Sequence, residues 1–256
     1  SMKIRMKRKL AVVLLICISC HMGWAAQDFV WKSGQNMKVV CDTTEAPVVK
    51  VALDLLKRDC RSVLSGNISR SENTGNIYVG TWGESSVLQA LAETRQLDVA
   101  LLNEHKEAFL LNVLPDGRLI VAGSDKRGTA YGVLELSRMM GVSPWEWWAD
   151  AVPEKKEELR LPAGFRKLDY PQVAYRGIFI NDEDWGLTPW SWKHYEPSER
   201  KGQIGPKTHA RIFELLLRLR ANTFWPAMHE CSIPFFFTEG NKEMADKYAI
   251  YLGTSH

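Results

Sequence analysis

Three consecutive carboxylates, Asp182, Glu183 and Asp184, follow the run Arg176-Gly177-Ile178-Phe179-Ile180-Asn181 and are closed by Trp185. The run is short, apolar and rich in β-favouring residues. Three charges in a row cannot continue such a strand into a core, so they project into solvent or a cleft at its C-terminal end. Paired Asp and Glu side chains supply acid and base at a glycosidic bond, and tryptophan ring faces stack on sugars. Asp182 and Glu183 are the candidate catalytic carboxylates, with Asn181, Asp184 and Trp185 as candidate substrate-binding neighbours.

The segment from Asp182 to Gly205 is far longer than the roughly two to six residues of an ordinary βα connection. It carries Trp190, Trp192, Lys193, His194 and Tyr195, and Trp190 is taken as a further sugar contact. A second strand ends in Phe224-Trp225-Pro226-Ala227-Met228-His229-Glu230. Trp225, His229 and Glu230 are candidate substrate-binding groups, the last two as a hydroxyl-binding pair or proton relay. His256 occupies the matching place after a third strand. The plain alternative is a solvated acidic turn with aromatic packing behind it. A zinc HExxH motif needs a second His where Ile233 stands, and no GxSxG elbow is present, so neither a metal nor a serine nucleophile is expected. No cofactor is called for.

The elements that must position these groups alternate along the chain. Met37–Cys41 reads as a strand, and Pro47 opens a helix with an apolar stripe to about Leu64, stopped by Gly66-Asn67. Asn76–Thr81 reads as a strand and Ser86–Thr94 as a helix. Ala108–Val113 and Arg118–Ala122 make a hairpin around Pro115-Asp116-Gly117, and a helix follows over Thr129–Met140. The glycines of Gly123-Ser124-Asp125-Lys126-Arg127-Gly128 have neither dinucleotide nor P-loop spacing, and Asp125 repels phosphate, so this is a structural turn. Residues 144–171, punctuated by Pro144, Pro153, Pro162 and Pro171, read as a linker. Its Trp145, Trp147 and Trp148 serve as packing between two domains or as a sugar platform. Strands over Arg176–Asn181, Asn222–Trp225 and Ile250–Gly253 then alternate with helices from Pro206 to Arg220 and from Asn241 to about Tyr248, the pattern of a parallel sheet. The expected organisation is α/β: a signal peptide over 1–26, a small α/β domain over 27–143, the linker, and from 172 to 256 the first βα units of a (β/α)8 barrel.

The 256 residues carry a formal charge of +3. Lys3, Arg5, Lys7, Arg8 and Lys9 precede the apolar run Leu10–Ile18 and the small residues Gly23-Trp24-Ala25-Ala26, the layout of a secretory signal peptide. Without those five basic residues the charge becomes −2, so no basic footprint for nucleic acid remains. Export to the periplasm or medium follows, with no membrane span. Cys20 is a poor lipidation site, since Cys17 stands where Leu is usual. Cys41, Cys60 and Cys231 have no metal spacing. A Cys41–Cys60 bridge and two buried thiols remain the alternatives.

Ile120-Val121-Ala122-Gly123-Ser124-Asp125-Lys126-Arg127-Gly128-Thr129-Ala130-Tyr131-Gly132 resembles the small α/β domain that precedes the barrel in hexosaminidases and α-glucuronidases. Tyr175-Arg176-Gly177-Ile178-Phe179-Ile180-Asn181-Asp182-Glu183-Asp184-Trp185, Asn222-Thr223-Phe224-Trp225-Pro226-Ala227-Met228 and Gly253-Thr254-Ser255-His256 together resemble the N-terminal part of glycoside hydrolase family 115. That resemblance implies a hexosaminidase-type accessory domain, a catalytic barrel, dimerisation of the full-length protein, and inverting release of glucuronic acid or its 4-O-methyl ether from glucuronoxylan; the uronate so implied wants a cation for its carboxylate, for which Lys193 or Arg200 is the candidate. A β-hexosaminidase-like glycosidase and a carbohydrate-binding fragment without catalysis are the rival readings.

Overall fold

The computed structural model describes residues 24–181, 184–226 and 228–254. Most of the expected signal peptide lies outside them. In chain order the elements are β1 (Phe29–Lys32), β2 (Asn36–Val40), α1 (Pro47–Leu64), β3 (Asn67–Ser71), β4 (Ile77–Thr81), α2 (Ser86–Glu93), α3 (Ala100–Glu104), β5 (Phe109–Val113), β6 (Leu119–Gly123) and α4 (Lys126–Met139). They continue with β7 (Glu158–Leu161), β8 (Arg166–Asp169), β9 (Gly177–Phe179), α5 (Leu187–Trp190), a π-helical turn over Ser191–Tyr195, α6 (Pro206–Arg218), β10 (Thr223–Trp225), a 3₁₀ turn over Phe235–Phe237, α7 (Asn241–Lys247) and β11 (Tyr251–Leu252).

A six-stranded sheet runs in the order β3-β2-β4-β6-β5-β8, parallel except where β5 meets β6 and β8. Strand alternation sends Met37, Val39, Ile77, Val79 and Val121 to a core shared with α1 and α4, and Val40, Tyr78, Ile120 and Ala122 to a second core under α2 and α3. The first core runs on without a break into Phe213, Leu216 and Leu217 of α6, Ala245 of α7 and Phe224 of β10. The layers are therefore α2 and α3, the six-stranded sheet, α1 and α4, then α6 and α7, and last a parallel three-stranded sheet in the order β11-β10-β9.

Residues 144–171, expected as a linker, contain two strands. Strand β7 pairs antiparallel with β1, and β8 forms the edge of the large sheet beside β5. Their patterns, ELRL and RKLD, are short and charged, so burial on one side only shows once the partner strand is known. The polar strand β3 escapes sequence reading for the same reason, since only Ile68 of its five residues is buried.

Helix α4 begins three residues before the expected Thr129. Asp125 is its cap: one carboxylate oxygen accepts from Gly128 N at 2.8 Å and the other from Glu107 N at 2.7 Å. Gly128 lies so close to Ala108 that a Cβ would stand 2.0 Å from its carbonyl oxygen. The turn is a packing device. Cys41 and Cys60 are buried free thiols; burial raises the first to about 12 and the second to about 11.

Ionic clusters join α1 to α6, and α4 and the chain before β5 to residues that flank β9 and β10. Asp59 of α1 takes both ends of the Arg218 guanidinium at 2.8 and 3.1 Å, and Arg218 also donates to Glu214 at 3.2 Å. Glu107 accepts from Arg176, Asn222 and Tyr131. Glu135 accepts from Arg138, Lys167 and Arg220. Burial alone would raise the Glu135 carboxyl, but the Arg138 and Lys167 hydrogen bonds and the Arg220 charge outweigh it and hold it at about 2.

His209 is buried against Phe213, Phe224 and Phe235, and its Nδ1 faces Gly205 O at 2.9 Å and Asn241 Oδ1 at 3.2 Å. The Asn241 amide nitrogen donates to Ile204 O and Phe235 O, so its oxygen is the acceptor and Nδ1 carries the proton. Burial lowers this imidazole to about 4 despite those two hydrogen bonds.

Both folded-state values lie below their ordinary ones, so each group stabilises the fold above its unfolded pKa and loses that contribution as pH falls through the folded one. The expected result is a two-stage loss of stability on acidification, the first from pH 6.5 to about 4 as His209 is forced to charge, the second from 4.5 to about 2 as Glu135 is protonated. Urea denaturation across this range checks it. A flat first stage, or one unchanged in His209→Gln, would show that the imidazole does not titrate with unfolding.

Candidate functional site

Strands β9, β10 and β11 are parallel and in register: Ile178 lies opposite Phe224, Phe179 opposite Trp225, and Phe224 opposite Leu252. The ladder reaches one residue past the strands, where Ile180 N donates to Trp225 O at 3.1 Å and Gly253 N to Phe224 O at 2.9 Å. Chain leaving these ends departs from one edge of the sheet. Asn181, Asp184 and Trp185 follow β9; Trp225 ends β10, with His229 and Glu230 beyond it; Thr254 follows β11.

At that edge Trp185 is 84% exposed and Trp225 43%. The Trp225 indole meets Phe179 edge to face, centroids 6.1 Å apart, and lies over the backbone of Gly253, where a Cβ would fall 1.3 Å from Nε1. Glycine at 253 is required by that approach. Beside it, Pro226, Met228, Phe235, Phe236 and Thr254 line a hollow of about 290 Å³. His229 Nδ1 is 3.3 Å from Cys231 Sγ, and Glu230 is exposed. The chain leaving this edge thus carries aromatic rings, an amide, carboxylates and an imidazole, an inventory that suits a sugar ring with its hydroxyls, while the hollow itself is lined by apolar side chains and Thr254. Asp182, Glu183 and His256 lie outside the described residues.

Trp190 sits elsewhere. It stacks on Tyr195 at 4.9 Å and meets Trp147 and Trp148 at 6.0 and 6.1 Å. Trp148 Nε1 donates to Arg211 O, and the Arg211 guanidinium lies over Trp147. Trp147, Trp148 and Trp190 therefore pack together at the junction to α6, with Trp190 half-buried among them. Trp145 is half exposed beside this cluster. Lys193 lies 5.0 Å over Trp192, and Arg200 donates to Phe237 O at 3.1 Å.

Sequence reasoning missed Glu196, an acid of the same loop that is structural. It accepts from Lys207 N at 3.0 Å and from Thr208 N and Oγ1 at 2.9 and 3.0 Å, satisfying the first turn of α6. It also missed Phe235 and Phe236 in the hollow, which no periodicity marks. Among the described residues no group of three or more His, Cys, Asp or Glu side chains could hold a metal, and no helix is long and apolar enough to cross a membrane.

An α/β domain joined to parallel strand-helix units with sugar-compatible chemistry at the strand ends is the layout of a glycoside hydrolase. Residues 168–256 match the family model Glycosyl hydrolase family 115. A solved structure described as a novel family GH115 4-O-methyl-alpha-glucuronidase, BtGH115A, with specificity for decorated arabinogalactans, is 60% identical over 89% of this chain, with a TM-score of 0.85. The chain belongs to glycoside hydrolase family 115; it spans 30% of the length of BtGH115A. More distant likenesses carry the fold alone. CpGH84D is 14% identical, covering 90% of this chain and 35% of its own, with a TM-score of 0.56. The Flavobacterium johnsoniae chitobiase FjGH20 is 12% identical, covering 90% and 33%, with a TM-score of 0.52. No curated protein matches the sequence.

Proposed function

We propose that the chain is the N-terminal portion of an exported glycosidase that hydrolyses the bond to a (4-O-methyl-)glucuronic acid side group on a plant polysaccharide, with inversion. The shared edge of β9, β10 and β11 carries this reading: it sends Asn181, Asp184, Trp185, Trp225, His229 and Glu230 out on one side, as the strands of a (β/α)8 barrel do at their C-terminal face. In such a site one carboxylic acid protonates the leaving oxygen and a second carboxylate, about 6.5–9.5 Å away, activates water. Asp182 and Glu183 are the candidates this chain offers, and the other member of the pair need not lie within it. Glucuronoxylan is the substrate implied by the sequence resemblance. The described specificity of BtGH115A favours a second reading, a decorated arabinogalactan.

Incubating the full-length protein with 4-O-methylglucuronoxylan and, separately, with glucuronidated arabinogalactan tests both. Free uronic acid should appear from one of them, first as the β-anomer by NMR. An α-anomer would overturn inversion. Release of N-acetylhexosamine from chitobiose instead, with no uronic acid from either polymer, would favour a β-hexosaminidase-like enzyme.

A further inference from the structure

A second polar cleft, of about 430 Å³, opens at the C-terminal ends of β4 and β6, far along the chain from the strand-end site. Its wall is Trp82, the residue after β4. The indole is partly buried, packs on the core beneath α2, and lines the cleft with the rest of its surface. Nε1 donates to Asn103 Oδ1 at 3.0 Å, which fixes the ring and turns the exposed Asn103 amide N–H groups outward. Beside the ring, Gly83 holds a left-handed φ of +92°, and a Cβ there would meet nothing within 4 Å, so the space is open.

The opposite wall is the loop between α3 and β5. His105 stacks on Tyr170 with centroids 3.5 Å apart and planes 5° from parallel, which pins the loop and leaves Glu104 and Lys106 exposed on its rim. These two charges oppose each other. The remaining acid, Asp125, has both oxygens committed to Gly128 N and Glu107 N. The lining keeps one more acid than base, which disfavours a phosphate, and Asp125 has no oxygen free to hold a cation, while a fixed aromatic ring beside amide, carboxylate and ammonium groups suits a neutral polyhydroxylated ring.

The sheet edge bearing this cleft faces the opposite end of the second sheet from the candidate catalytic edge. Arg127, two residues past Asp125, donates to Ala249 O at 2.7 Å and to Tyr251 OH at 3.0 Å, at the start of β11. We propose that the Trp82–Asn103 cleft is an ancillary, non-catalytic site for a neutral pyranose unit of a polysaccharide backbone. The inference rests on reading the chain as part of a polysaccharide-acting enzyme, and it adds a place to hold the polymer away from the reacting bond.

Calorimetric titration of the full chain with xylotriose, and in a second arm with β-1,3-linked galactotriose, tests it and separates a xylan from a galactan backbone. One of the two should bind with a change in tryptophan fluorescence. Trp82→Ala should weaken that step about tenfold or more, and Asn103→Leu, at an exposed position that leaves the core intact, by about three- to tenfold, the scale of one or two hydrogen bonds. Binding of neither sugar, an affinity unchanged in Asn103→Leu, or a step lost only in Trp225→Ala would overturn the proposal. Uronic acid release is measured separately, so sugar binding here without hydrolysis would sink the proposed activity and leave this site standing, and the reverse result would do the opposite.

Discussion

Replacing Asp182 or Glu183 by Ala in the full-length enzyme is expected to cut uronic acid release by about 10²-fold or more for at least one of the two, the scale of lost general acid–base assistance. KM should change less than kcat, because a proton-transfer group acts in the transition state more than in the ground state. The motivation is chemical economy: neither folding nor solubility calls for three consecutive acids directly after an apolar strand. The neighbouring loop shows what a structural acid looks like, since Glu196 spends both oxygens on the first turn of α6. Initial rates on the polymer that proves to be the substrate check this. If both variants fold and keep near-normal kcat, the cluster is a solvated turn.

Arg218→Met should strongly destabilise the junction of α1 with α6. The guanidinium is 4% exposed and its partner Asp59 3%. Removing it strands a buried carboxylate whose remaining cation, Arg58, stands 3.8 Å away. Breaking a buried pair in this way typically costs about 3–5 kcal/mol, because the charge left behind keeps its desolvation penalty. The double change Asp59→Leu with Arg218→Met removes both charges and should recover most of the loss, since an apolar pair of similar volume can replace a buried ion pair. Urea denaturation of the three proteins decides it. A single variant within about 1 kcal/mol of the parent, or a double variant no better than the single, would contradict the stranded-charge account.

Long periodic elements and local chemistry were legible in the sequence. Helix α1 could be read from Pro47 and its apolar stripe, and helix α6 from Pro206 and the Ile212, Phe213, Leu216, Leu217 face, because a 3.6-residue period sustained over more than three turns has few alternatives. The apolar strands β4, β5 and β6 announced themselves by composition. The acidic cluster and the tryptophans around 185 and 225 were visible as residue types out of place for packing, and the family followed from those motifs.

Tertiary structure decided what depends on a distant partner. Strands β3, β7 and β8 are short and polar, and only a neighbour's hydrogen bonds make them strands. Asp125 and Glu196 look in sequence like any exposed acid, yet a backbone N–H brought within reach makes each a cap. Trp190 and Trp225 are the same residue type in similar contexts, but one is closed in by Tyr195, Trp147 and Trp148 and the other stands at an open sheet edge. Residue identity fixes which interactions a side chain can make, whereas the register of β9, β10 and β11 and the packing behind them fix which ones it does make.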